Sequence, residues 1–180
     1  MTGMGGECRP READAVIVTE PDVTAVDADP RTASTAVGVT YAFDAETWIR
    51  RWGANKDRVA AVTAGSGDVR TATARSSPAA HTDAAPIQLP ATPPNGCDMA
   101  TVGVIVHAYL GAWETHDPTV YLDGLERSVA VTDPEAVFRF LHALVARARA
   151  VDGRLVASIA AHDLPADTVK TLLPLFDERV

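Results

Sequence analysis

The sequence predicts a three-layer α/β domain, a mostly parallel sheet with helices on both faces. Three observations predict it. Thr119 to His162 reads as strand, loop, long helix, strand, which is one βαβ unit. Its second strand, Leu155 to Ala160, is apolar on both faces, as strands buried inside a parallel sheet are. The remaining segments alternate strand and helix along the chain, the order that builds a parallel sheet with crossover helices.

In chain order, residues 1–13 are polar and Gly-containing and read as a disordered tail, leaving 14–180 as a single domain. Ala15–Thr19 is a short strand ending at Glu20-Pro21, and Ala36–Tyr41 is a second. Asp44 then caps a helix that sets Trp48 and Trp52 four apart on one face, with Ile49 beside them and Arg50 and Arg51 toward solvent. Arg58–Thr63 is a third strand. From Ala64 to Gly96 the chain turns to Gly, Ser, Thr, Ala and Pro and large apolar residues nearly vanish. That composition predicts a low-complexity loop, with an edge strand at most at Pro86–Leu89.

Asp98 caps the next helix, whose core stripe is Met99, Val102, Val106, Tyr109, Leu110 and Trp113. Ala100, Gly103, His107 and Gly111 give it a flatter second face fit for a close neighbour. Thr119–Asp123 is an apolar strand closed by one carboxylate, and a loop follows from Gly124. Asp133-Pro134-Glu135 starts the long helix with a capping carboxylate, a proline at the first helical position and an acid in the first turn. Val137, Leu141, Leu144, Ala148 and Val151 recur at helical spacing, widened by Phe138, Phe140 and Val145, and Gly153 supplies a left-handed stop. Asp163-Leu164-Pro165 opens a last helix with Val169, Leu172 and Leu173 inside, and Leu175–Val180 is a final strand.

Composition narrows the function classes. Aromatics make up 6%, so the core rests on Val, Leu, Ile and Ala. A net charge of −8 opposes nucleic acid and anionic membrane as partners. The basic residues are 2 Lys against 14 Arg, a ratio expected both of a salt-accumulating halophile and of plain GC-rich codon usage. Cys8 and Cys97 are far apart and unspaced for metal or disulfide, so they read as reduced thiols. With no apolar leader and no apolar run long enough to span a bilayer, a cytoplasmic location is expected.

Catalytic motifs are thin. Tyr121-Leu122-Asp123-Gly124, an apolar strand ending in Asp, is similar to the second nucleotide-binding motif of RecA-like ATPases, where that Asp holds the magnesium shell. The first motif, GxxxxGK[ST], should follow the first strand, because its amides and lysine hold the phosphates. Residues 19–36 there, TEPDVTAVDADPRTASTA, contain no glycine, no lysine and four carboxylates, and would repel triphosphate. Gly65-Ser66-Gly67 lacks a lysine and reads as a turn, and no G-x-S-x-G elbow marks a hydrolase.

VYLDGLERSVAVTDPEAVFRFLHALVARARAVDG, the Asp163-Leu164-Pro165-Ala166-Asp167 helix start and the ending TLLPLFDERV resemble an uncharacterised haloarchaeal family of shortened RecA/KaiC-like domains without a phosphate loop. The resemblance runs from Asp14 to Val180. It implies a degenerate RecA-like P-loop architecture and lost ATPase activity; with no phosphate-binding element in the sequence, no cofactor is expected. The resemblance also aligns Asp123 with the magnesium-binding Asp, and sets Asp44 and Glu46 near the place of catalytic glutamates.

Each candidate has a plainer reading beside it. Asp123 is a metal ligand or a strand-end acceptor of backbone hydrogen bonds. His162, with Asp163, follows a strand end where open sheets place ligands, although helix capping accounts for Asp163. His107 and His142 read as flank residues, His116 as part of a turn, and Arg139, Arg147 and Arg149 as a solvated face. The ligand-binding candidates are therefore Asp123, Asp44, Glu46 and His162, with no catalytic residue and no metal. The expected function is a non-catalytic regulatory or signalling module that binds a protein partner or its own copies. The alternative is a degenerate nucleotide-binding enzyme using Asp123.

Overall fold

The computed structural model describes residues 14–19, 34–41, 44–52, 56–64, 70–74 and 99–180. The 1–13 tail, the segment after Thr19 that replaces the phosphate loop, the Pro86–Leu89 strand and the Asp98 cap lie outside the described residues. Seven strands form one sheet in the order β4-β3-β2-β5-β6-β1-β7. They are β1 (Ala15–Val18), β2 (Thr35–Thr40), β3 (Arg58–Thr63), β4 (Arg70–Ala74), β5 (Thr119–Asp123), β6 (Arg154–Ser158) and β7 (Glu178–Arg179). All neighbours pair in parallel except β4, which runs antiparallel along β3. The helices are α1 (Ala45–Trp52), α2 (Met99–Ala112), α3 (Leu125–Val131), α4 (Pro134–Ala150) and α5 (Ala166–Leu172).

Alternate side chains of β1, β2, β3, β5 and β6 feed two separate cores, as the two-residue strand period requires. On one face Ile17, Val37, Val39, Val62, Leu122 and Leu155 pack beneath α2, α3 and α4, and Leu172 of α5 joins them. On the other face Val18, Ala36, Ala61, Tyr121 and Val156 pack against Trp48 and Trp52 of α1. The two tryptophans and Tyr121 form a triangle of rings with centroids 6.0–6.2 Å apart. Gly38 leaves the space in which the Trp48 ring lies: a Cβ there would sit 2.5 Å from the indole. Large rings over a small strand residue give this thin layer its buried area with few side chains.

Several elements differ from the sequence expectation. The stretch 64–96 contains a strand, β4, whose Thr-Ala alternation pairs with β3 at the sheet edge. The segment after Gly124 is not a loop but the short helix α3, with Leu125 and Val129 buried. Asp133 sits at the N-cap of α4 without a side-chain capping bond, so the helix starts on Pro134 and the Glu135–Arg139 pair. The left-handed residue ending α4 is Asp152 (φ 52°), not Gly153. Gly153 serves close approach: a Cβ would lie 2.5 Å from the Pro118 carbonyl oxygen. Asp163 closes a 3-10 turn (Ala161–Asp163) instead of capping α5, which begins after Pro165. Only Leu172 of the α5 trio is fully buried, while Val169 and Leu173 are half-buried.

Arg149 is not merely solvated. Its Nη2 donates to Asp177 Oδ1 at 2.6 Å, and the other Asp177 oxygen accepts the Ala15 amide at 3.0 Å. This clasp ties β7 to the start of β1 and to α4. Burial pushes the Asp177 carboxyl up, but the Arg149 hydrogen bond and charge with the Ala15 amide outweigh it, leaving the pKa below the usual carboxylate value. Among the described residues no helix is long and apolar enough to cross a membrane.

Candidate functional site at the carboxyl edge of the sheet

From β2 the chain crosses to β3 by way of α1 on one face, and from β5 it crosses to β6 by way of α4 on the other. The winding reverses between β2 and β5. Open α/β sheets place their ligand crevice at such a reversal, outside the carboxyl ends of the strands.

A polar row crosses the sheet at that edge. Thr63 is in register with Thr40, and Thr40 with Asp123. One step beyond the Leu122–Ala157 pair, Asp123 comes level with Ser158. By strand alternation these four side chains share the face covered by α1. Thr40, Asp123 and Ser158 are buried, with Asp123 only 1% exposed. Ser158 Oγ donates to Asp123 Oδ1 at 3.2 Å and accepts the Gly124 amide at 3.1 Å. Gly124 has φ 79°, and this left-handed turn aims its N–H at the neighbouring strand. The Tyr41 amide donates to the Asp123 carbonyl at 3.0 Å. Around the row, Thr63 Oγ1 accepts the first amide of α1, from Ala45, at 2.8 Å. Glu126 Oε2 accepts the Ala160 amide at 3.1 Å, tying α3 to the exit of β6.

All four candidates from the sequence follow the ends of adjacent strands, so they share this edge of the sheet. Their circumstances differ. Asp44 caps α1: its two oxygens accept the Thr47 amide and the Thr47 hydroxyl, each at 2.8 Å. Those bonds, the amide's first, hold the exposed Asp44 carboxyl below its ordinary pKa. Glu46 is exposed on the first turn of α1. His162 is exposed in the 3-10 turn after β6, its Nε2 3.4 Å from Asp163 Oδ1. Among the described residues no cluster of three or more His, Cys, Asp or Glu is placed to hold a metal. Ser158, Thr63 and Glu126 escape sequence reasoning. The one visible signal is Ser158, a hydroxyl interrupting the apolar run Leu155–Ala160.

The fold and this edge define an open α/β domain with a buried, hydrogen-bonded Asp123 at the carboxyl end of β5, beside the winding reversal. The chain belongs to DUF7504, a family of unknown function that matches residues 24–180. No curated protein matches it.

Proposed function

We propose that this chain is a degenerate RecA/KaiC-like domain of a halophilic archaeon that neither binds nor hydrolyses triphosphate and acts by binding another protein in regulation or signalling. The observation that carries the reading is the state of the carboxylates at this edge of the sheet. Asp123 is buried with one oxygen on Ser158, and both oxygens of Asp44 are taken by Thr47. A carboxylate that serves a magnesium shell needs lone pairs directed at the ion and an open approach. Here they hold the sheet edge and the first turn of α1 instead. The sequence after Val18 supports the same reading, since it offers four carboxylates and no lysine where triphosphate would sit. The net charge of −8 supports the halophilic source, while the shortage of Lys fits that source and GC-rich codon usage alike.

The second reading, a nucleotide-binding enzyme using Asp123, is favoured by one observation: Asp123 ends a strand that flanks the winding reversal. Calorimetric titration of the purified chain with ATP and magnesium in high salt separates the two. The proposed reading expects no saturable heat. Micromolar binding, or turnover of ATP, would overturn it.

A further inference from the structure

We propose that the groove between α2 and α4 docks an amphipathic helix of a partner protein, one whose apolar stripe ends in a carboxylate that pairs with Arg147. This rests on the protein-binding reading above and names its surface. The groove has a volume of about 350 Å³ and is lined by Gly103, Val104, His107, Phe140, Leu144 and Arg147, among others. The two helices run side by side in the same direction. A Cβ on Gly103 would meet the Phe140 ring at 3.7 Å, and one on Gly111 would meet Arg147 Nη2 at 3.2 Å.

Two features mark this face as a docking surface. In a chain that is 22% charged, the fourteen residues of α2, MATVGVIVHAYLGA, include no Asp, Glu, Lys or Arg. Its outer side nonetheless meets solvent, with Val104 63% exposed. An apolar helix face of this kind is the half-partner of a helix-in-groove interface.

The second feature is Arg147. It is the one permanently charged residue among those lining the groove, and it makes no ion pair with any described residue. A half-buried guanidinium without a counter-ion favours a carboxylate, which would meet its outer Nη groups while Nε stays sealed inside. Charge therefore specifies the occupant. A second copy meeting α2 against α2 would bring no carboxylate from that helix, leaving each Arg147 facing an uncharged wall. An anionic lipid surface would meet a chain of net charge −8.

The test is selection of a helix-biased displayed peptide library on the full-length chain. Enriched peptides should share apolar residues at i, i+3 or i+4 and i+7, plus an Asp or Glu in a terminal turn. A synthetic representative should lose about 10- to 100-fold in affinity on Val104→Glu and on Arg147→Glu. Exchanging its carboxylate for lysine should restore binding to the Arg147→Glu protein. Thermal melts confirm folding, and Arg147→Gln replaces Arg147→Glu if charge reversal unfolds the chain. Absence of any such consensus, or peptides indifferent to both substitutions, would overturn the proposal. So would self-association abolished by Val104→Glu, or sedimentation with phosphatidylglycerol vesicles abolished by Arg147→Glu. ATP with magnesium titrated into the same samples keeps the two failures apart. Silence without a consensus removes the groove alone, and binding with a consensus removes only the non-catalytic reading.

Discussion

Replacing Ser158 by Ala deletes one oxygen that does two tasks inside the sheet edge. Its hydroxyl donates to Asp123 Oδ1 at 3.2 Å and accepts the Gly124 amide at 3.1 Å, all in a fully buried position. A hydrogen bond to a charged group contributes about 1.5–3 kcal/mol, and a buried amide left unpaired costs about 1–3 kcal/mol. The donor distance is long for a charge-assisted bond, so the lower ends apply and the sum is roughly 2–4 kcal/mol. For a domain of this size that is a fall of about 5–15 °C in Tm. Urea denaturation in high salt should show the lower midpoint with an unchanged m-value. A cycle with Asp123→Ala should give a coupling of about 1–2 kcal/mol, because the two side chains share one bond. A loss below about 0.5 kcal/mol in Ser158→Ala, the range of ordinary surface substitutions, would refute the latch. A rise in stability on Asp123→Ala would refute it as well, since that is how a carboxylate kept for a ligand against the fold's preference behaves.

Other outcomes follow from single residues. Gly153→Ala puts a methyl 2.5 Å from the Pro118 carbonyl oxygen, and chemical denaturation should show a loss of roughly 1–3 kcal/mol. Asp152→Gly relieves a φ of 52° and should raise stability by about 1 kcal/mol in the same assay. Asp177→Asn tests the β7 clasp through pH. The folded pKa is lowered, so the wild-type advantage is complete above the unfolded value near 3.9 and disappears as pH falls through the folded value. Because Arg149 and Asp177 are each more than a third exposed, that advantage should stay below about 1 kcal/mol in thermal melts and shrink with salt.

Buried strands and the long helices were legible because their patterns are local. Arg58–Thr63 and Thr119–Asp123 begin and end where their apolar runs do, and most of the α2 and α4 stripes is buried. Trp113 and Phe138, however, are only half-buried, and buried Ile105 lay outside the expected stripe. What stayed hidden depends on partners far along the chain. Arg70–Ala74 is five small or polar residues that become a strand only because β3 offers an open edge. Seven-residue α3 is too short to show a helical period and gains its place from Leu125 and Val129 in the shared core. The helix stop moved from Gly153 to Asp152 because glycine was needed there for the contact with Pro118. At the edge of the sheet, Asp123 and Asp44 could be picked out as carboxylates after strands. That Ser158, thirty-five residues on, would hold Asp123 was written only in the pairing of β5 with β6.

The central claim, that Asp123 holds the fold together and serves no nucleotide, is tested most directly by melting wild type and Asp123→Ala with and without ATP and magnesium. A ligand present at a hundred times its Kd stabilises the folded state by about 2.7 kcal/mol, a shift of roughly 5–10 °C at this chain length. The account predicts no shift for either protein, and a lower Tm for Asp123→Ala in both conditions. A wild-type shift of that size, missing in an Asp123→Ala protein that melts as high as wild type, would contradict it.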